Sequence, residues 1–141
     1  MLGEQYAELK GKITGQRVLD IEGPTIETSV SVSGTMKGTQ VQEMITFIGT
    51  PTVEKGVIHG VGKGVIMAAA DGGGGVPEMV TYTGEGVGRF SSSGSIKWRG
   101  SIFFRTSSAG SKLAFLNNMM GVFESEIDAD GNFSEKEWEW K

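Results

Sequence analysis

The chain has 141 residues, enough for one domain with a real core. It carries 23 glycines, one histidine, no cysteine and a formal net charge of −4 at pH 7. These values exclude disulfides, thiolate metal sites, a cysteine nucleophile and a histidine-rich metal centre. The acidic balance also lacks the basic footprint of a nucleic-acid binder.

Taken in chain order, alternation and β-branched content predict strands near 5–14, 17–22, 26–36, 39–49, 53–69, 78–91, 95–106, 119–128 and 132–140. The opening MLGEQYAELKGK lacks the basic-then-apolar order of a signal peptide. No apolar run approaches the roughly 20 residues that span a bilayer. A cytoplasmic protein is therefore expected, with neither membrane nor nucleic acid as a partner. In SVSVSG, Val30 and Val32 take one face and the serines the other. Gly23-Pro24, Lys37-Gly38 and Gly49-Thr50-Pro51 punctuate the early strands.

The stretch from His59 to Arg89, HGVGKGVIMAAADGGGGVPEMVTYTGEGVGR, has glycine at alternate positions twice. A dinucleotide fingerprint fails in both runs, because its last glycine is replaced by Val65 or Arg89. A phosphate-binding P-loop fails as well: Gly64 follows Lys63 where Ser or Thr is needed, and Val57 replaces the first glycine. Folded as a hairpin about GGGG, the stretch sets Gly60 opposite Gly88, Gly62 opposite Gly86 and Gly64 opposite Gly84. Lys63 then faces Glu85. The next hairpin turns on Ser92, Ser93 and Gly94, with glycine left-handed. It pairs Phe90 with Ile96, Gly88 with Trp98, Gly86 with Gly100 and Gly84 with Ile102.

These registers collect glycine, aromatic and aliphatic residues on one face. On the other they place His59, Lys63, Glu85, Arg89, Lys97, Arg99 and Arg105, with Val57, Val61, Val65, Val87 and Phe103 among them. Alternate glycines allow the curvature of a closing barrel and leave volume inside it. Either rings fill that volume or a guest molecule does. The candidate ligand-binding residues are Tyr82, Phe90, Trp98, Ile102 and Phe104.

SSAGSKLAFLNN breaks the strand pattern. Ser107 or Ser108 can cap a short helix whose buried side carries Leu113 and Leu116. The tail VFESEIDADGNFSEKEWEWK fails as a calcium loop, since Phe133 stands where glycine is required. A three-residue turn after Asp128, with Gly131 left-handed, pairs Glu124 with Lys136 and Val122 with Trp138. Trp138 and Trp140 share a face, and at least one is expected to pack inward. Glu124, Glu126, Glu135, Glu137 and Glu139 read as a solvated face. His59 reads as solvated too, near Arg89. No G-x-S-x-G elbow occurs, and no cofactor or metal is expected. The fold class expected is all-β, a closed antiparallel β-barrel of about eight strands with one short helix, as a single domain over residues 1–141.

The motifs GVGKGV, YTGEGVGRF, IKWRGSIFFRTSS, KLAFLNN, VFESEIDADGN and the closing WEWK resemble a group of uncharacterised bacterial and archaeal proteins of similar length. The match covers about 85 residues of the C-terminal part, and KITGQRVL adds a weaker one. That group resembles the barrel of allene oxide cyclase, an eight-stranded antiparallel fold with a largely apolar cavity. The resemblance implies a homo-oligomer, but no functional residue of that enzyme can be placed on this chain. Three functions follow as expectations. The chain binds a small apolar ligand, or acts as an isomerase or cyclase on a lipid-like substrate with Tyr82 or Asn117 assisting, or is a filled structural barrel.

Overall fold

Eight strands close into a barrel in sequence order, each antiparallel to its neighbours, with the last returning to the first. The computed structural model describes residues 1–70, 75–105 and 112–141 in full and the backbone of 106–108. The strands are β1 (Leu2–Asp20), β2 (Thr25–Met36), β3 (Thr39–Pro51), β4 (Val57–Ala68), β5 (Glu78–Phe90), β6 (Ile96–Ser108), β7 (Met120–Ile127) and β8 (Asn132–Trp140). Among the described residues no helix is long and apolar enough to cross a membrane.

The two strands expected at 5–14 and 17–22 are one continuous β1. Its pairing with β2 shifts between Ile13 and Gly15 and again between Val18 and Asp20. Such irregularities bend a strand without ending it. Residues 14–24, the outer part of the β1–β2 hairpin, are exposed throughout. β3 runs two residues beyond the expected 39–49, so Thr50 and Pro51 belong to its end rather than to a loop. Inside the barrel, the period-two pattern sends Leu9, Val30, Val32, Val41, Ile66 and Val80 into the core.

The β5–β6 and β7–β8 registers are those the turn residues predict, including Gly88 with Trp98 and Glu124 with Lys136. Gly94 and Gly131 take left-handed φ values of 85° and 83°, and Asp128 Oδ1 accepts from the backbone N–H of both Asp130 and Asn132 at 2.9 Å.

The β4–β5 register differs by two residues from the expectation. Gly60 pairs with Gly86, Gly62 with Gly84, Gly64 with Tyr82 and Lys63 with Thr83. A slip of two preserves which side chains point inward, and this one brings the Tyr82 ring onto the bare backbone of Gly64. The GGGG tip lies mostly outside the described residues. Glu85, freed from Lys63, sits 3.7 Å from the exposed His59, while Arg89 pairs with Glu54 at 3.1 Å.

In β8 the expected phase is wrong. Phe133, Glu135 and Glu137 point inward, whereas Trp138 is half-buried and Trp140 exposed. Neither tryptophan anchors the core. With Phe133 inside, alternation leaves the tryptophans on the outer face and carries two glutamates in.

One end of the barrel is plugged. Where a short helix is expected in SSAGSKLAFLNN, the described residues form a 3-10 turn, Ala114–Leu116, with Leu113 and Leu116 fully buried. The proposed Ser107 or Ser108 cap concerns side chains outside those described. Buried Glu78 holds the plug: its carboxylate accepts from the backbone N–H of Leu113 at 3.0 Å and of Lys112 at 3.4 Å. Glu78→Ala strands at least one buried N–H, so it should cost about 1–3 kcal/mol. Urea unfolding of the variant checks this; an unchanged midpoint would show that the plug is held otherwise.

Candidate functional site

The opposite end is open. A cleft of about 570 Å³ at this mouth is lined by Ile26, Phe47, Ile58, Phe90, Ile96 and Trp98, among others. Deeper in lies a cavity of about 70 Å³ bordered by Tyr82, Trp98, Ile102, Phe123, Ser125 and Glu135 among others, with glycine backbone from β4 and β5 between them and the outward-facing Lys63 and Glu85 at its edge. Phe47, Trp98 and Ile127 border both spaces. Phe47 and Trp98 meet edge to face, with ring centroids 5.4 Å apart.

The alternate glycines serve these rings. A Cβ on Gly88 would stand 2.8 Å from the Trp98 indole, and one on Gly60 2.7 Å from its outer edge. Tyr82 covers Gly64 in the same way. Aromatic side chains therefore occupy most of the volume that glycine leaves, and the inner cavity is what remains.

The five residues singled out from the sequence do not form one lining. Tyr82, Trp98 and Ile102 border the inner cavity, and Trp98 also reaches the mouth. Phe90 lies at the rim, 53% exposed. Phe104 sits deeper, against the rings of Tyr6 and Tyr82. Asn117 is exposed on the plug, at the other end of the barrel.

Between cavity and plug lies a layer that the sequence reading missed. Glu43 from β3 and Glu135 and Glu137 from β8 are buried with carboxylate oxygens within 4.8 Å of one another. Tyr82 donates to Glu43 Oε1. Tyr6 donates to Glu137 Oε1 at 2.8 Å. No Lys, Arg or His is among the buried residues described, so protons must offset much of the charge.

Burial, then the charge of Glu137, pushes the Glu43 carboxyl up to about 8, against the pull of its Tyr82 hydrogen bond. Glu135 is held well above the ordinary range by burial, then by the charge of Glu137 and a hydrogen bond to it. Glu137 is also raised by burial, but hydrogen bonds from Glu135 and Tyr6 oppose the shift. Glu137 is thus the best placed of the three to keep a negative charge. Both tyrosines are raised, foremost by burial, and remain proton donors. Among the described residues, two buried side-chain polar atoms have no partner, Glu43 Oε2 and Trp98 Nε1.

The signal for these acids was one of phase. Glu43 shares its face with Val41 and Ile45, and Glu135 and Glu137 share theirs with Phe133. Chemically, such a layer can hold protons in apolar surroundings, deliver one, or take up a cation in exchange.

Fold and site together define a closed eight-stranded antiparallel barrel with an acid-lined interior. No family model matches the chain, and no curated protein is significantly similar to it. A crystal structure described as a protein with unknown function from Clostridium acetobutylicum ATCC 824 is similar to it, with a TM-score of 0.63 and 14% identity over 97% of this chain and 98% of that one. At that identity the likeness is one of fold.

Proposed function

We propose that the barrel binds a small, largely apolar molecule at its open end, with its polar end toward Trp98, Tyr82 and Glu135. The observation that carries this reading is the mouth cleft of about 570 Å³, apolar along most of its wall and separated by one layer of rings from buried polar atoms. Small-molecule sites commonly span about 300–1,000 Å³ and combine apolar walls with a few polar groups. The sequence resemblance to allene oxide cyclase, whose eight-stranded barrel has a largely apolar cavity, supports it. A cytoplasmic setting and homo-oligomer formation belong to the same reading, the latter supported by Val61, Val87 and Phe103, which are exposed among charges on the outer wall.

Octanol and a terpenoid alcohol should produce a saturable change in tryptophan emission that disappears in Trp98→Phe, although Trp138 and Trp140 remain. Silence from every fatty or terpenoid probe would favour the filled barrel. A second reading, an isomerase or cyclase acting on a lipid-like substrate, is favoured by the Glu43 carboxyl, which holds its proton near neutral pH. Turnover of an epoxide or enone, lost in Glu43→Gln with folding intact, would establish it.

A further inference from the structure

Strand β1 outruns one of its neighbours. It pairs with β2 as far as Asp20, but its pairing with β8 stops at Lys12 opposite Asn132. The last bond on that side runs from the Ile13 N–H to Gly131 O at 3.0 Å, in the β7–β8 turn. Among the described residues, no strand pairs with residues 14–20 there. At roughly 3.3 Å per residue this leaves an open edge of roughly 20 Å, with backbone donors and acceptors unmet by the barrel. We propose that a second copy of this chain adds its own residues 14–20 at that edge, antiparallel, joining two barrels about a two-fold axis. This takes the homo-oligomer of the reading above and gives it a surface, a strand edge in place of the outer wall.

The segment is complementary to itself. Arg17 lies opposite Glu27 of β2, and Asp20 opposite Thr25. Glu27 and Thr25 are two apart on one strand, so Arg17 and Asp20 stand on the same face. A two-fold register that sets Arg17 opposite Asp20 of the second copy forms that ion pair twice, once on each side of the axis. It also brings Val18 against Leu19 of the second copy at the centre. These two are 61% and 42% exposed in the single chain, apolar surface that pairing removes from water. Both charges are accessible, although Arg17 also meets Glu27 at 3.4 Å and Asp20 accepts from the Glu22 N–H.

The pairing is short, because β1 is irregular between Ile13 and Gly15 and between Val18 and Asp20. It lies at the small end for specific interfaces, so the dimer should dissociate in the micromolar range. A two-fold pairing covers the edge on both copies, and assembly stops there. The edge also stands beside the ligand cleft. Ile13 and Gln16 of β1 line the mouth, and among the described residues β8 contributes none to it. The added strand therefore extends the wall on the side where β8 has ended.

Sedimentation velocity of the full chain, at concentrations rising to millimolar, should show monomer passing to dimer. Arg17→Glu and Asp20→Arg each set like charges opposite one another at both pairs, and each should weaken the dimer at least about tenfold. Mixed in equal amounts, the two variants again place opposite charges at both pairs, and a dimer should return. Phe103→Ser, on the outer wall, should leave it unchanged. Circular dichroism checks the folding of each variant. Hydrogen exchange on the unmodified chain does not depend on the variants: amides in residues 14–20 should gain protection as concentration rises. A parent that stays monomeric leaves this edge to some other chain and overturns the proposal. So would a dimer indifferent to both charge variants, folded variants whose mixture does not recover, or exchange independent of concentration. Loss of the dimer in Phe103→Ser would overturn it in favour of the outer wall. Ligand binding is read separately by tryptophan emission, so that reading stands or falls independently of these outcomes.

Discussion

Between about pH 5 and about pH 9 the barrel should lose on the order of 4 kcal/mol of stability as the Glu43 carboxyl ionises, and Glu43→Gln should remove most of that loss. The Glu43 carboxyl moves from its ordinary 4.5 to about 8 on folding, foremost through burial. The folded state thus favours the protonated form. Its contribution is fully present below the unfolded value near 4.5 and disappears as pH rises through 8. Stability falls by about 1.4 kcal/mol for each pH unit crossed between those two values. Glu135 and Glu137 are raised in the same direction and steepen the decline. This is the reverse of ordinary acid denaturation, in which paired carboxylates lose their partners as they are protonated. Glutamine keeps the shape of Glu43 and an acceptor for the Tyr82 hydroxyl, but has no charge to bury. Urea midpoints across the pH range, for the parent chain and the variant, measure the effect. A parent stability that is flat or rises toward pH 9 would refute the description of this layer as a store of protons.

Gly64→Ala should destabilise the barrel by about 1–3 kcal/mol or somewhat more, as overpacking does in tight cores. The added Cβ would collide with the Tyr82 ring and hydroxyl. Tyr82 cannot swing away without abandoning its hydrogen bond to Glu43 and its contact with Phe104. Gly88→Ala should act similarly, because the indole of Trp98 lies against it and against Gly60. Gly15→Ala is the control. Nothing lies within 4 Å of a Cβ there, and the change should stay within about 0.5 kcal/mol. Removing the Tyr82 ring should make Gly64→Ala much less costly, a coupling that a double-mutant cycle reads directly. Equal costs at Gly64 and Gly15 would mean that the inner glycines serve strand curvature alone.

Much of the wall was legible in the chain because the side-chain period of a strand is two and local turn chemistry sets hairpin register. Tyr82, Trp98 and Ile102 face inward while Lys63, Lys97 and Arg99 face water. Gly94 and Gly131 provide the left-handed turns that register β5 on β6 and β7 on β8. The β4–β5 pairing was less constrained, since a glycine-rich tip permits several loop lengths and a two-residue slip leaves the faces intact. The phase of β8 was misread for a physical reason as well. Two tryptophans outweigh two glutamates on any scale of burial, unless the glutamates have tyrosines and one another to bond with.

The chain by itself determined an antiparallel barrel, the inner and outer residues of β4 to β6 and the tight turns at Gly94 and Gly131, because these depend on sterics and alternation within a few neighbouring residues. Only the closed tertiary structure decided that Glu43 meets Glu135 and Glu137 beneath an apolar mouth. Distances across a barrel are set by strand tilt and stagger around the whole ring, and no local stretch of sequence carries them.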